Sequence, residues 1–460
     1  MTIKIDILGA GLAGSEAALQ LARLGFQVRL HDMKPGAMSP AHHNPDFAEI
    51  VCSNSLGSQN SEHSVTASGL LKEELTAMGC ILLNIAKSVA LPAGQALAVD
   101  REGFSRHVTE AIQRESCITL IPQAASTIPV DSDAVLVATG PLTTAALAQD
   151  ISTRLNHKPL YFFDAAAPII AKESINFDTA FFQDRYNKGE PDGMGSYINC
   201  PLEKEDYEAL LAILQHGEKT PLHDFEAQSA SYFESCLPVE VLASRGPETL
   251  RYGPMKPVGL INPHTGRRPY AVVQLRQDNR EGTLYNMVGF QTNLKWGVQK
   301  QMIQRIPGLE DAEIVRYGVM HRNTFIHSPA VLTPTLNLRT FPHVFFAGQL
   351  TGTEGYTESI ATGMLAAQNI ARMLQGNVLA PMPQDTMLGA LTAYITRPEA
   401  ATLSFQPINS NWGILPPLPE GSFRRKDKTA RNQLYRRRSQ ESLTAWLAEN
   451  GMSSACVGGC

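Results

Sequence analysis

No stretch of the 460-residue chain is apolar over the roughly 18 residues that a membrane-spanning helix requires. Met1 to Leu8 carries Lys4 and Asp6 where a secretory leader would need an unbroken apolar segment, so no membrane partner and a cytoplasmic location are expected. The seven cysteines, at 52, 80, 117, 200, 236, 456 and 460, are odd in number and too scattered to form a disulfide framework in a chain this long. No repeat of solenoid length and no low-complexity tract is present. The spacing G-x-G-x-x-G occurs once, and no Cys-x4-Cys pair lies near residue 52, which argues against an ordinary pyridine-nucleotide disulfide reductase. What remains is a globular chain, 43% hydrophobic, long enough to bury a large core in two or three domains.

The most informative stretch present is IKIDILGAGLAGSEAALQLARLGFQVRLHDMKP, from Ile3 to Pro35. Apolar Ile3, Ile5, Ile7 and Leu8 predict a buried strand, and Gly9, Ala10, Gly11, Leu12, Ala13 and Gly14 follow as the glycine fingerprint. Apolar residues at helical spacing then run to Gly25, and Phe26 to Leu30 predicts a second strand ending at Asp32. Such a βαβ unit binds a dinucleotide. Its glycines allow a tight turn and close approach of a pyrophosphate, the helix N-terminus offers unpaired N–H groups, and the acid reaches a ribose hydroxyl.

A long loop rich in Ser, Asn, His and Gly follows, and loops of this length inside a domain are usually functional. Helices are expected over Leu70 to Leu83 and in DREGFSRHVTEAIQ, and a strand from Ala134 to Ala138 closes on Thr139 and Gly140. Between about Tyr161 and Arg322 the texture changes to short strands, aromatics and prolines. A strand, a glycine-rich loop and a helix from about Ser359 to Leu374 then repeat the N-terminal logic. The expected architecture is therefore α/β, a doubly wound, Rossmann-type dinucleotide domain with an inserted α+β domain. The first part spans 1–195, the inserted substrate or RNA domain 196–324, and the second part, with a basic C-terminal region, 325–460.

Gly9 to Asp32 alone does not separate FAD from NAD. The strand ending at Gly140, and the loop carrying Gly348, Gly352, Glu354, Gly355 and Tyr356, are similar to segments that flank the cofactor in two-dinucleotide-fold flavoproteins. A helix start near Glu358 and Ser359 would aim N–H groups at the polar edge of a flavin ring. FAD is the expected cofactor. Lacking a second fingerprint, the chain would meet NAD(P)H only transiently.

Cys52 in EIVCSNSLGS and Cys236 in YFESCLPVE are candidate reactive thiols, whereas Cys80, Cys117 and Cys200 read as core. The C-x3-C pair at Cys456 and Cys460 is weak evidence for a metal, and no metal site is expected. Net charge is −5, but the segment from Arg424 to Arg438 holds eight Lys/Arg and one Asp, a local +7 that leaves −12 elsewhere. That asymmetry fits a polyanion partner, and it equally fits a solvated helix face.

Taken together, GAGLAGSEAA, EIVCSNSLGS, QALAVDREGF, VATGPLT, YFFDAAAPI, FESCLPVEV, RYGPMKPVGL, NMVGFQTNLKWGVQK, FFAGQLTGTEGYTES and FQPINSNWGILPPL closely resemble the folate- and FAD-dependent tRNA (uracil-5-)-methyltransferases. The resemblance covers nearly the whole chain. It departs in RYNKGEPDGMGSYINCP and in the Cys-ended tail, neither of which bears chemistry. It implies that a one-carbon unit passes from 5,10-methylenetetrahydrofolate, through FAD reduced by NAD(P)H, to C5 of a T-loop uridine in tRNA. It also implies two functional cysteines, which map onto Cys236 as the nucleophile adding to C6 and Cys52 as its acid/base partner. Beside this reading, Arg245, Arg251, Lys256, His321 and Arg322 are expected near the inserted domain's active face, and Arg424 to Arg438 as an RNA contact. The same chemistry on ribosomal RNA, or a flavoprotein that binds RNA without methylating it, stays open at this point.

Overall fold

The computed structural model describes residues 3–451 except 40, 62–63, 157–159, 188–194, 221–236, 319, 400–404 and 425–426. The first strand, β1 (Ile5–Leu8), is wholly buried because parallel neighbours and helices cover both of its faces. It lies at the centre of a five-stranded parallel sheet with β2 (Val28–His31) and β6 (Ile118–Ile121) on one side, and β7 (Ala134–Val137) and β16 (Val344–Phe346) on the other. The sheet thus takes strands from both ends of the chain, as a doubly wound nucleotide domain does.

The first helix, Leu12–Arg23, buries ten of its twelve residues between this sheet and a long helix, Tyr356–Leu374. The two helices approach so closely that a Cβ at Gly363 would lie 2.2 Å from the Ala13 carbonyl oxygen. The helix expected over Leu70 to Leu83 is instead two, Ala67–Ala77 and Ile81–Ser88. Gly79 turns the chain at φ +81°, and the buried Glu16 carboxylate takes the N–H groups of Ile81 and Leu82 at 3.1 and 2.8 Å, capping the second helix.

β3 (Ser55–Ser58), β4 (Ala90–Leu91) and β5 (Ala96–Val99) form a small antiparallel sheet beside the first domain. An antiparallel ribbon of β8 (Leu160–Ala165) and β15 (Met320–Phe325) carries the chain out and back. Beyond it lies a six-stranded antiparallel sheet in the order β10 (Phe181–Phe182), β11 (Tyr197–Leu202), β12 (Ala271–Gln277), β13 (Leu284–Met287), β9 (Ile169–Ala171), β14 (Ile314–Arg316), with its own core. β9 and β10 thus lie upstream of residue 196, inside the stretch whose texture changes at about Tyr161, so the second sheet draws on chain that the expected bounds gave to the first part.

Glu74 ties three elements together. Its buried carboxylate accepts from the N–H groups of Met387 (2.6 Å) and Leu388 (3.0 Å), which open the helix Met387–Thr396, and from Ser439 Oγ (2.6 Å) on the C-terminal helix Lys428–Glu449. Burial outweighs these bonds and pushes its pKa up to about 7. A raised carboxyl pKa means that the folded state holds the proton more tightly than the unfolded state. Its stabilising effect is complete below the unfolded value of about 4.5 and is lost as pH rises through about 7. Urea unfolding of the wild type should therefore show a stability loss of up to about 3 kcal/mol between these limits that Glu74→Gln lacks. Parallel pH profiles for the two proteins would refute the assignment.

Candidate functional site

Two clefts meet at one loop. The first, an open groove of about 860 Å³, runs along the fingerprint and is lined by Gly11, Leu12, Ala13, Gly140, Gly348 and Tyr356, together with His42, Glu49 and Cys52. The second, about 1240 Å³, opens toward the inserted domain between Ser53, Ser58, Glu354, Gly355 and Glu358 on one side and Arg276, Asn286 and Gln291 on the other. Cys52, Gln349 and Tyr356 border both.

Each glycine of the fingerprint has a different use. Gly9 turns the chain at φ +99°, Gly14 lies in the first helix so close to that turn that a Cβ would sit 1.8 Å from the Gly9 carbonyl oxygen, and Gly11 lines the cleft. Asp32 accepts from the Ala10 N–H (2.7 Å) and the Lys34 N–H (2.9 Å), which fixes it beside the turn with lone pairs left for a ribose hydroxyl. This open glycine cradle, with the first helix starting at Leu12, fits the pyrophosphate of a dinucleotide such as FAD.

Loop 50–54, which carries Cys52, is gripped from three directions. Arg101 Nη1 donates to the carbonyls of Ile50 (3.0 Å) and Val51 (2.6 Å), while its Nε reaches both oxygens of Asp278 at 3.0 and 2.9 Å. Arg276 donates from Nε to Asn54 Oδ1 (2.9 Å) and from Nη2 to Ser53 Oγ (2.7 Å). The Tyr356 hydroxyl oxygen accepts from the N–H groups of Val51, Cys52 and Ser53 and lies 2.9 Å from Cys52 Sγ. Burial and the neighbouring thiol push the Tyr356 phenol pKa well up, so the hydroxyl keeps its proton. Lys72 lies beneath the second cleft, donating to the Ser58 and Ser68 carbonyls and to Ser68 Oγ, and burial brings its pKa down to about 8. With Arg276 it sets two cations against the Glu354 and Glu358 carboxylates that line the same cleft.

Other expected residues lie elsewhere. Cys236 is outside the described residues, although Val239, three residues on, donates to the carbonyl of Gln291 at 2.7 Å. Gly352 stands behind the cleft against the Phe405 ring, and Glu354 bonds Gln349 Nε2 at 2.8 Å. The long helix begins at Tyr356, so Glu358 and Ser359 fall inside its first turn, and Glu358 holds Ser410. Arg245, Arg251 and Lys256 do not line either cleft; Arg251 binds Glu248 and the Tyr270 carbonyl and lies over the Tyr270 ring. The side chains of His321 and Arg322 are outside the described residues. Cys80 and Cys200 are fully buried and Cys117 is half-buried. Within the basic segment Arg436 is bidentate to Glu73 and Arg438 binds Asp385, while Arg424, Lys428 and Arg437 stay exposed. Arg101, Arg276 and Asn286 escaped the sequence reading, since each lies in a stretch patterned like any buried strand or helix start. Among the described residues no helix is long and apolar enough to cross a membrane.

Fold and cradle together define a doubly wound dinucleotide-binding protein with a second cleft, lined by charges of both signs, set against its fingerprint groove. Within that class, the chain belongs to the glucose inhibited division protein A family, whose model matches residues 4–378. It is 50% identical over 446 residues to the methylenetetrahydrofolate--tRNA-(uracil-5-)-methyltransferase TrmFO of Heliobacterium modesticaldum, covering 97% of this chain and 98% of that one. It is 49% identical over 442 residues to the protein of the same name from Halalkalibacterium halodurans, covering 96% and 98% respectively. Among solved structures, Aquifex aeolicus GidA shares the fold at a TM-score of 0.64 and 17% identity, over 97% of this chain and 75% of that one.

Arg101 is the buried cation on which the loop depends. Arg101→Met leaves Asp278 charged, buried and unpaired, and should lower stability in chemical denaturation by about 3–5 kcal/mol. A loss below 1 kcal/mol would show that loop and pair are not coupled to folding.

Proposed function

We propose that the protein is a folate- and FAD-dependent methyltransferase that converts a T-loop uridine of tRNA to 5-methyluridine in the cytoplasm. The reading rests on one observation above all: Cys52 stands on the wall shared by the dinucleotide cleft and the second cleft. The identity to the tRNA methyltransferases over nearly the whole chain supports it and favours tRNA over ribosomal RNA. When bound in the first cleft, FAD supplies electrons from NAD(P)H and conveys the one-carbon unit of 5,10-methylenetetrahydrofolate.

The residues of the chain prepare the uracil. C5 of uracil is a poor nucleophile until a thiolate adds to C6; the new S–C6 bond breaks the C5=C6 double bond and passes its electron pair toward C5 and O4. We assign that addition to Cys236. Once C5 has gained its one-carbon unit, a base removes the C5 proton and the thiolate leaves, restoring the double bond. Cys52 handles this proton, held in place by Tyr356, Arg101 and Arg276. Among the basic residues that could meet the RNA backbone, Arg424, Lys428 and Arg437 are exposed.

The test is methyl transfer to a tRNA transcript with methylenetetrahydrofolate and NADPH, omitting each in turn. Wild type should form 5-methyluridine only in the complete mixture, and Cys52→Ala should slow it by roughly 10²–10⁴-fold. A transcript with 5-fluorouridine at the target, whose C5 gives up no proton, should trap a covalent complex with Cys52→Ala and none with Cys236→Ala. The reverse pattern exchanges the two roles, and no methylation by wild type overturns the reading.

A further inference from the structure

The second cleft holds a polar group that the reaction just described leaves unused. Asn286, on β13, is 3% exposed and lines the cleft, yet its Nδ2 has no hydrogen-bond partner among the described residues. A buried amide donor left unpaired costs about 1–3 kcal/mol, a cost that folds avoid unless something else meets the group. Directly opposite on β12 is Arg276, itself 7% exposed and lining the same cleft. Side chains opposed across an antiparallel pair share one face of the sheet, so a fixed cation and an idle donor stand together. Arg276 is already anchored through Ser53 and Asn54 to the loop of Cys52, which sets the pair at a defined place relative to the thiol.

We propose that Asn286 is the donor that binds a ring carbonyl of the reactant seated in the second cleft, with the charge of Arg276 beside it. The proposal rests on the methyltransferase reading and deepens it. A side-chain amide matches a lactam edge, giving Nδ2–H to the carbonyl oxygen and receiving the ring N–H at Oδ1. Uracil carries that edge, and so does the pterin ring of the folate. For uracil the contact does more than orient. As the thiolate adds to C6, the electron pair released from C5=C6 is shared with O4, and a preorganised donor and cation there stabilise the charge as it forms.

Two variants test this in the full-length, FAD-loaded protein. Asn286→Asp keeps the shape and replaces the donor by an acceptor, and Asn286→Ala removes the group. Methylation is measured with transcript and methylenetetrahydrofolate varied separately, alongside melting temperature, FAD content, and equilibrium binding of a T-arm transcript and of tetrahydrofolate. Both variants should lose roughly 10–100-fold in kcat/KM for one reactant, with weaker binding of that reactant, no fall in melting temperature and unchanged FAD content. A loss confined to the transcript identifies uracil as the occupant; one confined to the folate identifies the pterin. Unchanged kinetics and binding for both reactants, or a loss that only follows a fall in melting temperature, overturns the proposal. If the wild type transfers no methyl group the underlying reading falls, and the binding measurements still decide the role of Asn286.

Discussion

The structure depends on how loop 50–54 is held, because the loop makes almost no regular structure of its own and yet carries the thiol between two clefts. Its carbonyls are taken by Arg101, its Ser53 and Asn54 side chains by Arg276, and its N–H groups by the Tyr356 hydroxyl. Backbone polar groups removed from water need partners, and here long side chains supply what a helix or sheet would supply elsewhere. Two buried guanidinium groups are an expensive means of support. Arg101 is offset by Asp278, whereas Arg276 donates to the neutral oxygens of Asn54 and Ser53, and burial brings its pKa down although Asp278 acts against the shift. Such groups are poor contributors to net stability. They are good at fixing one position, since a shift of the loop would take two carbonyl acceptors from Arg101 and the Ser53 and Asn54 side chains from Arg276.

The same contacts join the two domains. Arg276 lies on β12 and Asp278 just beyond it, so the second sheet reaches the first domain through the end of one strand. The antiparallel ribbon of β8 and β15 provides connection, and the buried polar cluster provides registration. A ribbon alone would leave the angle between the domains soft. The ion pair Arg101–Asp278 and the amide of Asn54, which donates to the carbonyls of Val99 and Gln277, bind β5, β12 and the loop into one unit.

What could be read from the sequence is what short-range pattern controls. Strand, glycine turn and helix at the N-terminus follow from alternation, spacing and the steric needs of Gly9 and Gly14, and they appear within a residue or two of where spacing puts them. Gly79 was visible, but whether it ends a helix depended on Glu16 to cap the next one at Ile81, 65 residues further along the chain. The early start of the long helix followed from Gly355, whose φ of +117° lets the chain enter the helix at Tyr356. Arg276 and Asn286 were illegible for a stronger reason. Within their strands they are polar residues of ordinary spacing, and only register, tertiary packing and a missing partner distinguish them. The insertion boundary was blurred in the same way, because β9 and β10 are too short to be recognised without the strands they join.

The shared wall also bears on why a flavin site and a substrate site should be neighbours at all. A reactive one-carbon unit exposed to water is lost, so transfer favours a path shorter than any escape route. Cys52, Gln349 and Tyr356 each border both clefts, which leaves about one side chain of thickness between the fingerprint groove and the second cleft. A side chain that thin can be rigid only if its backbone is held from behind. The arginine clamp on loop 50–54, with Arg101 behind it and Arg276 in the wall of the second cleft, therefore fixes where the Cys52 thiol stands between the two clefts.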